Sequence, residues 1–451
     1  MTDCKPQIAL GFHPHSTVQV TFDAPHTSSD GGLLLLRQAD ERLGLIGRMA
    51  ACVPDERDAT RVEHGRLEQV RQRVFQIAMG YEDCNDADTL RDDPVLKTVC
   101  DRGAKAEGGL SSQPTLSRFE NAVTGGAIRN MLRVLESDYV EKLPADTQAV
   151  ILDIDSTDDA THGAQQLAFF HGFYDQHMYH PLLVIDGEGQ LVTLLLRPGN
   201  AHGARSARGT LTRLIRRIKG RLPHAQICVR ADSAFCLPGL LDALEQLDAE
   251  LGDIDYVIGV AKNPRLLALA ATAMTEAEQL FESGERHVRH FATTWYAAKT
   301  WSHERHVVIK AEHGVRGANP RFVVTTLRDI DARTLYDVGY CARGQCENHI
   351  KDFKNALAAD RLSCSRFVAN FFRLLLHAMA YRLLHEVRRA ARAVGSSLGD
   401  VQMDTLRLRL LKVAAHVTQS VRRILVRLPR AFPFADVFAA IANALMSPAP
   451  A

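Results

Sequence analysis

Apolar residues recur every three to four positions through much of the first 145 residues, a spacing that predicts helices. The pattern is clearest in the runs LLLLRQADERLGLIGRM, LEQVRQRVFQIAMGY and TLSRFENAVTGGAIRNMLRVLESDYVEKL. Gly125 and Gly126 divide the third run into two helices. Two helices around a glycine turn fit either a DNA-reading helix-turn-helix over 113–134 or ordinary helix packing.

From residue 148 the apolar pattern becomes that of strands. The runs QAVILDID, MYHPLLVID and QLVTLLLR predict three strands, the last two joined as a hairpin by Gly187, Glu188 and Gly189. The elements predicted next are a helix over 205–221, a strand over 225–231 ending at Asp232, a helix over 237–247 and a strand over 255–261. The predicted order is therefore β-β-β-α-β-α-β.

A second group of strand-like runs follows, in RHFATTWYAAKTW, ERHVVIKAEH and RFVVTTLR. Helical spacing resumes at 338 and continues to about 428, before Pro429 and Pro433 interrupt it. The predicted divisions are a helical N-terminal domain (1–145), the first part of a sheet core (146–261), a β-rich insertion (262–335), a core helix (336–370) and a helical, basic C-terminal region (371–451). The fold class predicted is α/β, or α+β overall.

The composition is that of a globular protein, with 46% hydrophobic and 24% charged residues. The net charge of +1 does not by itself indicate a nucleic-acid partner. Its distribution does, because 1–150 hold 17 basic and 23 acidic residues whereas 361–430 hold 14 basic and 3 acidic residues. Such asymmetry predicts that one region meets a polyanion.

Nine scattered cysteines without a CxxC pair indicate reduced thiols rather than a disulfide framework or a zinc finger. The most apolar stretch, 371–387, contains Arg373, His377 and Arg382, so no membrane span is predicted. The N-terminus has no long apolar run typical of a secretory signal. We expect a cytoplasmic protein without a membrane partner.

Three acids occupy places that favour catalysis: Asp155 and Asp232 at strand ends, and Glu347 on the helix after the insertion. Strand ends meet at one edge of a sheet, where ligands bind. Three carboxylates close together repel one another unless cations neutralise them, and Mg²⁺ or Mn²⁺ bound through oxygen does so. Each acid taken alone is better explained as a turn cap or a solvated surface residue, and Asp153 is a second candidate beside Asp155.

The helix around Glu347 carries one polar stripe. At 100° per residue, Tyr340, Arg343, Glu347 and Lys354 lie within about 60° of arc. The opposite face is apolar. The spacing alone fits a catalytic stripe or a solvated face in which Arg343 and Glu347 form an i, i+4 pair.

The chain resembles a large class of bacterial insertion-sequence DDE transposases. Tyr340, Arg343, Glu347 and Lys354 match its Tyr-x2-Arg-x3-Glu-x6-Lys signature at every gap. ILDIDSTDD and VRADSAF resemble the two aspartate motifs of this class. TSSDGGLLLLRQADERLGL and HGFYDQHMYHPLLVIDGEGQ resemble the insertion-sequence family numbered thirteen-eighty, and the likeness runs over roughly 20–430.

The resemblance implies a ribonuclease H-like catalytic core in which Asp155, Asp232 and Glu347 hold Mg²⁺, with Mn²⁺ able to substitute. It also implies that Tyr340, Arg343 and Lys354 contact DNA phosphates. Related transposases stack a flipped base on an aromatic residue of the insertion. Trp295 and Trp301 are candidates for that role, and core packing is the competing interpretation.

The histidines of HGFYDQHMYHP match no zinc spacing, so we interpret His171, His177 and His180 as sheet packing or polar surface. The resemblance predicts a transposase that cuts double-stranded DNA at terminal inverted repeats and joins the freed 3′-hydroxyls to target DNA. Holding two ends together implies a homodimer or a higher synaptic oligomer, associated with the nucleoid when bound to DNA. The alternatives are a metal-dependent nuclease without strand transfer and a catalytically silent DNA-binding regulator.

Overall fold

The sheet of the computed structural model is built from strands whose apolar residues alternate or run continuously along the chain. The structure describes residues 7–447. Its strands are β1 (Ile8–Leu10), β2 (Val18–Val20), β3 (Thr27–Ser28), β4 (Ala149–Ser156), β5 (Asp159–Ala160), β6 (Phe169–His171), β7 (Gln176–Tyr179), β8 (Leu182–Asp186), β9 (Leu191–Leu195), β10 (Gln226–Ala231), β11 (Ile254–Val260), β12 (His287–Tyr296), β13 (Arg305–Gly314), β14 (Gly317–Ala318), β15 (Arg321–Thr325), β16 (Ala415–Ser420) and β17 (Arg423–Arg427).

Along the chain, most helices precede the first strand of the central sheet, connect its later strands or follow its last strand. They are α1 (Leu33–Leu43), α2 (Leu45–Ala50), α3 (Arg66–Ala78), α4 (Ala87–Leu90), α5 (Pro94–Val99), α6 (Gln113–Ala122), α7 (Gly125–Glu141), α8 (Ala207–Arg221), α9 (Pro238–Leu251), α10 (Pro264–Leu269), α11 (Ala271–Glu282), α12 (Ala332–Thr334), α13 (Gly344–Lys351), α14 (Phe367–Ala393), α15 (Met403–Leu406) and α16 (Ala435–Met446).

The central sheet has the predicted ribonuclease H-like topology. Five neighbouring strands lie in the order β9-β8-β4-β10-β11. Strands β4, β10 and β11 are parallel, whereas β8 runs antiparallel to both of its neighbours, β4 and β9. Helix α8 lies on the connection from β9 to β10, and helix α9 connects β10 to β11. The α+β class and this core are therefore confirmed.

Burial explains why these segments pair as they do. Leu152 and Ile154 of β4 and Ile227 and Val229 of β10 are fully buried. The same core contains the apolar faces of the two connecting helices, which are Leu211, Leu214, Ile215 and Ile218 of α8 and Leu240, Leu241, Leu244 and Leu247 of α9. Each fully buried aliphatic side chain of this kind contributes about 2 kcal/mol relative to exposure.

The segment predicted as a β-rich insertion differs from the prediction in its first third. Residues 264–282 form α10 and α11, because Asn263 accepts a hydrogen bond from the Leu266 amide and good helix formers follow. The strands after them extend the central sheet in the order β12-β13-β15-β11 instead of forming a separate layer.

Two further predictions are corrected. The single strand predicted for MYHPLLVID is two strands, because Pro181 cannot donate to a ladder and β7 pairs with β5 and β6 while β8 joins the central sheet. The helix predicted up to 428 ends earlier, and 415–427 form the β16–β17 hairpin, in which Val417 faces Val426. Alternation of apolar and polar residues in this hairpin outweighs its helical spacing.

The chain divides into two compact units that do not follow the order of the sequence. The first contains residues 7–46, 55–119 and 386–447, and the second contains 47–54 and 120–385. We call them the discontinuous unit and the central-sheet unit. Strands β3, β16 and β17 form a sheet of the discontinuous unit, whereas the ribonuclease H-like sheet belongs entirely to the central-sheet unit.

Helix α14 is long and apolar enough to cross a membrane by length and composition. However, 83% of its most apolar window is buried inside the protein. Its side chains also make internal hydrogen bonds, since the Tyr381 hydroxyl donates to the Gly189 carbonyl and Arg382 donates to the Leu191 carbonyl. These features are those of a core helix.

Candidate active site

The first two candidate acids lie on neighbouring parallel strands. Asp155 is the penultimate residue of β4, and Asp232 directly follows β10. The pairing of Ile154 with Ala231 brings the two positions to the same edge of the sheet. Asp232 also caps the 3₁₀ turn Ser233–Phe235 by accepting a hydrogen bond from the Ala234 amide at 2.9 Å. Capping and proximity to Asp155 therefore coexist at this residue.

Asp153 is occupied elsewhere, which separates it from Asp155. Its two carboxylate oxygens accept hydrogen bonds from Arg230 at 2.7 and 2.6 Å, and both side chains are buried. A carboxylate held in this bidentate manner has little capacity left for a metal ion. Asp155 is the better candidate.

The segment carrying the third acid is less regular than the predicted helix. It consists of a π-helical turn over Leu335–Tyr340, a 3₁₀ turn over Cys341–Arg343, helix α13 and a second π-helical turn over Asp352–Ala356. The apolar side chains of Cys346 and Phe353 are buried, as the stripe predicts. The regular 100° geometry is wrong for the polar stripe because the turns differ in residues per turn.

Arg343 lies between the acids. It donates to Asp155 Oδ2 at 3.0 Å and to Glu347 Oε1 at 3.0 Å. The side chains of Arg343 and Asp155 are each 14% exposed, whereas that of Glu347 is 52% exposed. A guanidinium thus neutralises the carboxylates at the position where a metal-binding acid site needs a cation.

Electrostatics indicate that the three acids share one site. Burial raises the pKa of Asp155 to about 6, Arg343 opposes this shift, and the charges of Asp232 and Glu347 add to it. For Arg343 itself, burial disfavours the charge, but Asp155, Tyr340, Asp232 and Glu347 outweigh burial and raise its pKa. The three acids therefore act on one another electrostatically, and Arg343 offsets part of their repulsion.

Tyr340 lies against the same edge of the sheet. A Cβ added to Gly259 of β11 would lie 2.5 Å from the Tyr340 hydroxyl and 3.4 Å from the carbonyl carbon of Asp232, so glycine makes room for this side chain. Burial raises the pKa of Tyr340, and Asp232 contributes. The phenol therefore stays protonated and able to donate a hydrogen bond.

Lys354 does not contact Asp155 or Glu347 in this structure. Its ammonium pairs with Asp158 at 2.8 Å and approaches Asp360 at 3.8 Å. Asp158 follows Asp155 by three residues, so Lys354 is held next to the acid site and not within it. Burial acts to raise the pKa of the Asp158 carboxyl, but Lys354 and Gln176 outweigh burial, so that this pKa is lowered.

A family model described as transposase DDE domain group 1 matches residues 11–449. The chain belongs to this family. No curated protein has a significantly similar sequence. Among solved structures, the fold is similar to a piggyBac transposase, described as a cryo-EM synaptic complex with hairpin DNA, at a TM-score of 0.42 and 10% identity over 93% of this chain and 83% of that one.

The donor set of this DDE transposase fits divalent metal ions. Two aspartates and a glutamate offer only oxygen, which Mg²⁺ and Mn²⁺ prefer, and their repulsion requires positive charge nearby. Residues that would hold two ions are Asp155, Asp232 and Glu347. Two ions about 3.5–4 Å apart need carboxylates spread around them rather than gathered at one point.

Within residues 7–447, the one triple of metal-ligating side chains whose donor atoms all lie within 4.8 Å is elsewhere, at Asp242, Glu245 and His303. Sequence reasoning missed this group, whose only signal is the i, i+3 spacing of the two acids on α9. Arg305 already binds both carboxylates, with Nη2 at 2.6 Å from Asp242 and Nε at 2.6 Å from Glu245. The group is an ion-pair cluster on α9 and the segment 303–305, and it includes none of the acids at the ends of β4 and β10.

The two tryptophans of the transposase have different environments. Trp295 is 50% exposed on β12, with Arg328 5.0 Å above its ring. Trp301 packs against the core of the central-sheet unit, next to the Tyr296 ring and beneath the Arg305 guanidinium. Trp295 is therefore the more accessible of the two rings, although Arg328 and His306 already contact it.

Many basic residues of α8 and α14 are engaged within the protein instead of being available to DNA. On α8, Arg213 binds Glu136 and Arg216 binds Glu250. On α14, the buried Arg382 binds Asp138. By contrast, the arginines of the β16–β17 hairpin and its flanks are exposed, namely Arg409, Arg422, Arg423, Arg427 and Arg430.

Proposed function

We propose that this DDE transposase cleaves DNA at the terminal inverted repeats of its element and transfers the 3′-hydroxyl ends to target DNA. Asp155, Asp232 and Glu347 are its catalytic metal ligands, with Mg²⁺ as cofactor and Mn²⁺ as substitute. The proposal rests above all on Arg343, which binds Asp155 and Glu347 at 3.0 Å each. The charge of Asp232 also acts on Asp155, whose pKa it raises. The family supports the reaction class.

Bound divalent ions would activate water or a 3′-hydroxyl and stabilise the leaving oxygen of the phosphodiester. Hydrolysis and strand transfer are the same in-line displacement with different nucleophiles, so one site serves both. Arg343 offers a planar fork to a phosphate, and Tyr340 offers a hydroxyl donor. Lys354 supplies a third positive contact once a phosphate competes with Asp158 for its ammonium.

The finer class we propose is that of the Tyr-Arg-Glu-Lys signature, within the insertion-sequence family numbered thirteen-eighty. Tyr340, Arg343 and Glu347 lie together at one sheet edge, which supports a shared role. Trp295 is our candidate for stacking on a flipped base, because an exposed ring provides about 1–3 kcal/mol of stacking free energy per base.

DNA partners follow from the reaction. We assign end binding to the N-terminal helices and to the exposed arginines of the β16–β17 hairpin and its flanks. Because two ends must be joined to one target, we propose a homodimer or a higher synaptic oligomer as the active form.

The test supplies purified protein, Mg²⁺ and duplexes that end in the element's inverted repeat. We expect nicking at the repeat end followed by joined products. Nicking without joining would indicate a nuclease, and salt-sensitive binding alone would indicate a regulator. The matched control is Asp232→Asn, which keeps the oxygen that caps Ala234 and so should fold and bind DNA while cleavage falls to background.

A further inference from the structure

Arg230 of β10 contacts both β4 and the segment that carries Glu347. Each contact lies just before the residues of the acid site along the chain. Arg230 precedes Asp232 by two residues on β10 and is paired in register with Asp153, which precedes Asp155 by two residues on β4. Residues two apart on a strand face the same side of a sheet. The bidentate pair therefore fixes β4 and β10 to each other immediately before both acids.

The second contact reaches the segment that carries Glu347. Arg230 Nη1 donates to the Gly339 carbonyl at 3.1 Å, and Gly339 precedes Tyr340. This carbonyl belongs to the π-helical turn over Leu335–Tyr340, where backbone hydrogen bonds are less regular than in an α-helix. A buried arginine thus supplies a contact at the point where the segment leaves regular geometry.

The rest of this segment is anchored mainly through its side chains. Leu335 and Tyr336 are buried in an apolar cluster, and the Tyr340 ring packs against Tyr336. The residues from 341 to 345, by contrast, are exposed or half-buried, and Arg343 contacts Asp155 through its guanidinium. The Arg230 hydrogen bond differs from these contacts because it holds the backbone of the segment, at the Gly339 carbonyl.

We propose that Arg230 is a positioning residue that holds the Tyr340–Glu347 segment against the strands carrying Asp155 and Asp232. The inference rests on the proposed function, because it assigns Arg230 a role in the same reaction. A buried ion pair is not required for stability, since apolar residues of similar volume often replace it without loss. The link to Gly339 is what an apolar pair cannot reproduce.

The experiment uses the double variant Asp153→Leu with Arg230→Met in the full-length chain. We expect a melting midpoint close to that of the natural protein, faster backbone amide exchange over 339–347, and end cleavage reduced about tenfold or more. A purely structural pair would change the melting midpoint and leave amide exchange over 339–347 unchanged. The matched control replaces another buried pair of the same unit, Asp138→Leu with Arg382→Met, which has no contact with the acids.

A second variant covers the case in which the double variant does not fold. Arg230→Lys keeps a positive charge for Asp153 but cannot span both Asp153 and the Gly339 carbonyl. It should melt normally and still show faster exchange over 339–347 with slower cleavage. Natural exchange and natural cleavage in a folded Arg230 variant would overturn the proposal. If the natural protein fails to cleave, the proposed function fails, whereas the exchange measurement still decides the role of Arg230.

Discussion

Arg343 supplies a positive charge among acids that would otherwise repel one another, and this has a consequence for metal binding. Its guanidinium hydrogen-bonds oxygens of Asp155 and Glu347 that the proposed metal ions would also need. A phosphate of bound DNA would compete for the same guanidinium. Arg343 would therefore offset the repulsion between the acids and compete with a metal ion for their oxygens.

We predict that Arg343→Gln binds Mn²⁺ about tenfold more tightly than the natural protein in the absence of DNA, equivalent to about 1.4 kcal/mol. Titration followed by electron paramagnetic resonance at pH 8 measures this affinity, well above the pKa of about 6 at which Asp155 ionises. The same variant should lose end cleavage because the phosphate contact is gone. Arg289→Gln, which breaks a partly exposed pair with Asp337, is the control and should bind Mn²⁺ normally. Weaker Mn²⁺ binding by Arg343→Gln would mean that Arg343 organises the ligands instead of competing with the ion.

His180 is a titrating group whose effect on the pH dependence of stability has a clear direction. It is buried, its Nδ1 lies 2.8 Å from the Ala201 carbonyl, and its Nε2 has no hydrogen-bond partner within the described residues. Burial lowers its pKa from 6.5 to about 4, with Arg197 and His171 adding to the shift and Ala201 and Asp158 opposing it. The neutral ring is thus the form that the fold requires.

Between these two pKa values the unfolded chain binds more protons than the folded protein. The contribution of His180 to the free energy of unfolding should therefore be complete above pH 6.5. It should decrease as pH falls towards 4, by at most about 3 kcal/mol. Urea unfolding of the natural protein and of His180→Asn at pH 4.5 and pH 7 measures the difference. The asparagine amide can still donate to Ala201 but does not titrate, so its curve should be flatter. Parallel curves would show that His180 does not set the pH dependence.

At the level of secondary-structure elements, the sequence predicted the strands and helices that follow from the spacing of apolar residues close together in the chain. Strands β4 and β10 follow from apolar runs that end in Asp155 and Asp232, and the topology of parallel strands brings those ends together. The pairing of Arg230 with Asp153 could not be predicted, since it needs the register of strands 77 residues apart. The π-helical turns at 335–340 and 352–356 follow from tertiary packing, which the 3.6-residue period does not contain.

The β16–β17 hairpin shows a second reason for failure. Basic residues are common to exposed helices and to exposed hairpins, so the charge of 361–430 did not distinguish them. Net charge also did not reveal that Arg382 is buried with Asp138 while Arg422 and Arg423 are exposed. Burial, and not residue type, decides which arginines remain available to a phosphate.

We predict that the variant Arg422→Ser with Arg423→Ser weakens DNA binding and reduces the slope of log affinity against log salt by about 2, near 0.9 for each lost phosphate contact. Binding titrations with end DNA at several salt concentrations measure this slope. The charge-matched control is Arg286→Ser with Arg316→Ser, which removes two exposed cations outside both regions to which we assign end binding. An equal loss of slope in the control would attribute the effect to net charge and not to the hairpin.

On the scale of the whole molecule, the discontinuous unit depends on the meeting of its first and last chain segments. The Gly31 amide donates to the Val413 carbonyl at 2.8 Å, and the Gly32 amide donates to the Leu411 carbonyl at 3.0 Å. Lys412 also binds Asp30. This part of the unit therefore joins segments that lie about 380 residues apart along the chain.

Gly32 is the position at which this closure is most sensitive. Its φ of −70° suits any residue, so the glycine is required by space: a Cβ would lie 2.2 Å from Leu411 Cα, which is backbone and cannot rotate away. We predict that Gly32→Ala lowers the free energy of unfolding of the discontinuous unit by about 3 kcal/mol. Amide exchange should accelerate together in 33–43 and in 403–417, although the two segments are far apart in sequence, and remain slow in strands β4 and β10. Gly65→Ala is the matched control, because Gly65 holds the same N-cap position on α3 with nothing within 4 Å of an added Cβ. If both alanine variants were equally stable, the contact of Gly32 with Leu411 would not be what joins the two ends of the chain.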